Sequence, residues 1–176
     1  MILGMSVSAF TLLHVIISLL GIVLGLLALV ELLGNRTSAS ITALFLGFTI
    51  LTSVTGFLFP FTTWDPARVV GIISLIVLAV AIVARYARHL IGLSRLVYVV
   101  SAVFALYLNV FVAVAQAFQK IPALHSLAPM GSERPFVVAQ SVVLLIFVGF
   151  GVAAALRFRS PRMQRRRGDE ISATEV

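Results

Sequence analysis

The chain contains no cysteine, which excludes disulfides, thiol nucleophiles, iron–sulfur clusters and Cys-based zinc sites. Charge is almost as scarce. Only 11% of the 176 residues are Asp, Glu, Lys or Arg, against ~25% in an ordinary soluble domain. No charged side chain precedes Glu31. A cleavable signal peptide carries a basic start and a short apolar core, so the first thirty residues read as a retained membrane span. Hydrophobic residues make up 61% of the sequence, and the solvent they demand is lipid. No Asp, Glu, Lys or Arg falls at the predicted centre of any span, which argues against an ion-coupled carrier or pump within one subunit.

What is present is a set of long charge-free stretches: Met1 to Val30, Thr37 to Trp64, Val69 to Ala84, Leu96 to Gln119 and Pro135 to Leu156. Each holds the ~20 residues of a helical span, the shortest by letting Arg68 and Arg85 snorkel to opposite interfaces. Open strand edges would leave backbone groups unpaired in hydrocarbon, so the spans are helices. The predicted fold is an all-α integral membrane bundle of five transmembrane helices over 1–160, with spans at about 8–32, 41–60, 67–86, 95–118 and 136–156. Gly34-Asn35, Trp64-Asp65-Pro66 and the Pro129, Gly131, Pro135 group punctuate the connections, as helix ends require. Trp64 belongs at a headgroup interface.

Basic residues set the orientation. With the N-terminus outside, the cytoplasmic side holds Arg36, Arg85, Arg88, Arg95 and the tail arginines Arg157, Arg159, Arg162, Arg165, Arg166 and Arg167, while only Arg68, Lys120 and Arg134 lie outside. That asymmetry is the positive-inside pattern, with the C-terminus in the cytoplasm. It explains the net charge of +7 better than nucleic acid does. Residues 161–176 read as a disordered basic tail near anionic lipid.

Polar residues inside the spans are few and patterned. Tyr98, Ala102, Ala105, Asn109, Ala113 and Gln116 recur at helical spacing and put two amides on one small-residue face of the fourth span. His14, Ser18, Gly21 and Gly25 form a comparable stripe on the first, where Gly21 and Gly25 match a small-xxx-small packing pattern. The second span is locally polar at Thr49, Thr52, Ser53 and Thr55, a bend or packing seam because hydroxyls bond their own helix backbone. By depth, His14, Ser18, Asn109, Gln116, Gln119 and Gln140 fall at the midplane or in the outer half, and they are the candidate ligand-binding set. The competing role for the same residues is helix packing by side-chain hydrogen bonds. A bis-His haem would have to use His14 and His125, yet nothing fixes His125 within its loop. No cofactor or metal is expected. Asp65 and Glu133 are loop carboxylates, and Ser101 and Ser141 lack a nucleophile-elbow context or a paired base, so catalysis is disfavoured.

The segment YVVSAVFALYLNVFVAVAQAFQKIPALHSLAP, from Tyr98 to Pro129, resembles small polytopic inner-membrane proteins of proteobacteria. The resemblance extends through ITALFLGFTILTSVTGFLFPF and GSERPFVVAQ, hence most of the chain. It implies a bacterial inner membrane and transfers no activity or functional residue. The functional expectation is a binding or accessory protein with an outward-facing polar cavity for a small molecule, lipid or quinone. The alternatives are a structural or assembly subunit, as a homo-oligomer or in a membrane complex, and, third, a haem-linked redox protein.

Overall fold

The computed structural model describes residues 1–60 and 66–158. Trp64, Asp65, Arg159, Arg162, Arg165, Arg166, Arg167 and the tail 161–176 lie outside the described residues. Five long apolar helices carry the fold: α1 (Val7–Leu33), α2 (Ala39–Gly56), α3 (Pro66–Ile82), α4 (Leu93–Lys120) and, after the short α5 (Pro122–His125), α6 (Arg134–Arg157). The starts are chemically marked. Ser6 Oγ accepts the Ala9 N–H ahead of α1, Ser38 Oγ accepts the Ile41 N–H ahead of α2, and Pro135 sits in the first turn of α6, each serving N–H groups that no helix turn can satisfy.

Three boundaries differ from the sequence reading. The second span was expected to reach residue 60, but α2 stops at Gly56. Thr52, Ser53 and Thr55 donate to the carbonyls of Phe48, Thr49 and Leu51, which favours bending, and Pro60 disfavours helical backbone at Phe59. The Phe59 ring turns back onto Phe10 and His14, with centroids 5.1 and 5.3 Å apart. The third helix widens into a π turn over Val83–Ala87 before the chain reverses. The connection after α4 contains α5, begun by Pro122 at a position where its missing N–H costs nothing.

α4 is the hub, packing against α1, α2, α3 and α6. Half of its most apolar stretch is buried, against 11% for α6. α1 and α2 pack most closely together, and α6 leans on α4 and α1. The apolar core runs through Leu32, Phe45, Leu78, Ala81, Val99 and Leu106. A Cβ on Gly25 would meet Leu106 Cδ1 at 2.5 Å and the Phe45 ring at 2.8 Å, so glycine there sets how near α1 approaches α2 and α4. The exposed faces of all five helices are Leu-, Val- and Ile-rich, as lipid contact requires.

Candidate functional site

The polar side chains of the bundle pair across helix seams. Thr42 Oγ1 and the Tyr98 hydroxyl lie 3.3 Å apart between α2 and α4. One layer further along, Asn109 Nδ2 donates to Thr49 Oγ1 at 3.2 Å, while the Ser53 hydroxyl, whose hydrogen is directed at the Thr49 carbonyl, lies 3.2 Å from Ser74 Oγ of α3. The second span's hydroxyls are thus a packing seam, and Thr42, Thr49, Ser53 and Ser74 are all buried.

His14 Nδ1 lies 2.7 Å from Thr55 Oγ1. The Thr55 hydroxyl has one hydrogen and directs it at the Leu51 carbonyl, 2.6 Å away, so Nδ1 is the donor in this pair and neutral His14 keeps a bare Nε2 as acceptor. The ring lies over Gly56, 3.7 Å from where a Cβ would stand. Ser18 Oγ donates to the His14 carbonyl at 2.8 Å, a bond within its own helix.

Gln140 works on another seam. Its Nε2 donates to the Phe111 carbonyl at 3.0 Å, and since that carbonyl only accepts, the amide orientation is fixed. Oε1 is left buried with no partner among the described residues. Gln116 is half-buried and Gln119 exposed. The six expected site residues therefore do not form one hydrogen-bonded constellation. Asn109 reaches from α4 to α2 and Gln140 from α6 to α4, and among the described residues only Ser18 and His14 bond to each other, through a backbone carbonyl.

Register brings two of them to one level. α1 and α4 run antiparallel, with Gly21 opposite Asn109 Nδ2 and Gly25 opposite Leu106. Seven residues away on each helix, toward the start of α1 and the end of α4, nearly two turns or about 10.5 Å, stand His14 and Gln116. Between those levels the burial of α4 changes. Nine of its ten buried residues fall between Tyr98 and Asn109, whereas every residue from Val110 to Ala117 is half-buried. α4 is thus closely covered from Tyr98 to Asn109 and only half covered from Val110 to Ala117, the stretch that carries Gln116 and the Phe111 carbonyl held by Gln140.

Among the described residues, no group of three or more His, Asp or Glu is placed to hold a metal. The His14 ring is held by Thr55 and Phe59, the His125 ring is exposed at the end of α5, and the two share no contact. At the opposite end of the bundle, reasoning from sequence missed a cluster. Arg85, read as a snorkelling charge, lies against Tyr98 with its Cζ 5.4 Å from the ring centroid, and its Nη2 donates to the Ser38 carbonyl at 3.3 Å. Glu31 Oε2 accepts the Ser38 N–H at 2.8 Å. The available signal was Tyr98 on the inward stripe of α4 and the lone carboxylate Glu31 at the end of α1. No protein-family model matches the chain, and neither the curated proteins nor the solved structures contain a match to it.

Proposed function

We propose that the chain is a multi-pass protein of a bacterial inner membrane, N-terminus outside, that acts as a binding or accessory protein for a small amphipathic molecule such as a lipid or quinone. The observation that carries this reading is the change in burial along α4 at Asn109. Beyond it the walls are apolar and half-covered, and the polar groups left over are few: His14 Nε2, the Gln116 amide and Gln140 Oε1. Apolar walls with a small number of placed polar groups suit an apolar body with a polar head. Two of those groups are acceptors, which favours a hydroxyl-bearing head. The basic residues, gathered at the other end of the bundle, support the orientation, and the resemblance from Tyr98 to Pro129 supports the membrane.

A second reading, a structural or assembly subunit in a homo-oligomer or membrane complex, is favoured by the way Thr42, Thr49, Ser53 and Thr55 each find a partner on a neighbouring helix. Gln116 separates the two. It makes no hydrogen bond among the described residues, so Gln116→Leu has no interhelical hydrogen bond to break. Mass spectrometry of lipids and quinones retained in mild detergent, beside thermal stability, should show lost ligand at unchanged stability for Gln116→Leu. Gln140→Leu should lose ligand and some stability, and Asn109→Leu mainly stability. Leu145 is 69% exposed, so Leu145→Ala serves as a lipid-facing control. Unchanged ligand content in both glutamine variants would leave the structural reading standing.

A further inference from the structure

We propose that Arg85 anchors a binding site for the phosphate of an anionic phospholipid, at the end of the bundle opposite His14. The site begins with the π turn. Arg88 N–H reaches the Val83 carbonyl at 2.9 Å, and this wider turn adds a residue to the helix circuit, with Ala84 buried and Arg85 lying against the Tyr98 ring. The guanidinium lies near two rings, 5.4 Å from the Tyr98 centroid and 5.7 Å from that of Tyr86, within cation–π range of both. Nη2 is used by Ser38. Nε and Nη1 are enclosed and find no acceptor among the described residues.

A guanidinium is always charged and cannot escape by losing its proton, so two enclosed donors call for an acceptor, preferably an anion. Among the described residues none supplies one. Glu31 is the only described carboxylate at this end, and it is engaged by the Ser38 N–H. Arg36, Arg88, Arg95 and Arg157 add positive charge at the same end, which disfavours a head group carrying its own cation. Ile91 and Leu93, where the chain passes from the π turn into α4, are 52% and 74% exposed, apolar surface at this end that an acyl chain covers and a soluble anion does not need. The way in is past Tyr86, whose ring covers the guanidinium while being 46% exposed itself.

The test uses the full chain in neutral detergent, titrated with short-chain phosphatidylglycerol, short-chain phosphatidylcholine or inorganic phosphate while thermal unfolding is followed. Phosphatidylglycerol is expected to protect at concentrations about tenfold lower than phosphatidylcholine, whose choline cation is repelled at this positive end while both offer the same phosphate, and inorganic phosphate is expected not to protect. Arg85→Gln should abolish the preference, Arg85→Lys should weaken it because an ammonium cannot stack as a plane, and exposed Arg88→Gln should keep it. Equal loss in Arg88→Gln would show diffuse charge only and overturn the site. Protection by inorganic phosphate alone would make it a soluble-anion site and overturn the lipid assignment. If Arg85→Gln does not fold, wild type and Arg85→Lys decide: no lipid preference in wild type, or an undiminished one in Arg85→Lys, contradicts the proposal.

Discussion

Gly25 shows what a single hydrogen atom in place of a methyl decides. Its missing Cβ would stand 2.5 Å from Leu106 Cδ1 and 2.8 Å from Phe45 Cε2, and both neighbours are themselves 1% exposed, with no room to retreat. Gly25→Ala should cost about 1–3 kcal/mol by overpacking, read as a lower melting temperature in detergent. Gly47, with nothing within 4 Å of its Cβ position, should accept alanine at no cost or gain up to ~1 kcal/mol of helix propensity; similar losses at both sites would contradict the packing described. The Gly21 and Gly25 pattern was legible as a contact motif. That Gly21 has ordinary 3.6 Å clearance while Gly25 has none depends on which side chains lie opposite, and spacing does not encode that. Glu133, outside the spans, behaves differently again. The backbone N–H of Met130, then that of Ser132, donates to its carboxylate at 2.8 and 3.0 Å, which holds its pKa below the usual carboxylate range. A depressed folded pKa means the loop gains order above the unfolded value near 4.5 and loses it as pH falls through the lower folded value. Amide protection factors at Met130 and Ser132, taken relative to the intrinsic exchange rate, should therefore fall as pH drops through this range, and Glu133→Gln should make those protection factors independent of pH there.

At the level of helices, the pairing of α2 with α4 rests on two polar contacts running in the same direction along both, Thr42 with Tyr98 and Thr49 with Asn109. A double-mutant cycle on Thr49→Val and Asn109→Leu should return a coupling near ~0.6 kcal/mol, the average for such bonds in membrane bundles. A coupling indistinguishable from zero would mean that shape alone holds the seam. The five spans were legible because apolar length is nearly sufficient to define a membrane helix. Their ends were less so: Phe57–Phe59 are as apolar as any helical turn, and α2 stops before them because hydroxyls inside the helix and Pro60 beyond it act together. The π turn at Val83–Ala87 has no Pro or Gly to announce it. Arg85 was consequently read by its charge and depth alone, and its place against Tyr98 emerged only from the packing of α3 on α4.

For the whole molecule, sequence placed the candidate polar residues toward one end but treated them as one cluster. The structure distributes them over separate seams of α4, because Asn109 and the Phe111 carbonyl that holds Gln140 face different helices. What they share is the end of the bundle at which α4 loses its cover. The absence of cysteine makes that difference measurable without any background. Single cysteines introduced at Ala102, Ala105, Ala113 and Gln116 can be reacted in intact cells with a membrane-impermeant maleimide added from outside. Ala102 and Ala105 are buried, at 3% and 0% exposure, while Ala113 and Gln116 belong to the half-covered stretch. Labelling at positions 113 and 116 should be at least about tenfold faster than at 102 and 105, in keeping with an aqueous opening for a polar head, and equal slow labelling at all four positions would contradict an outward-facing opening.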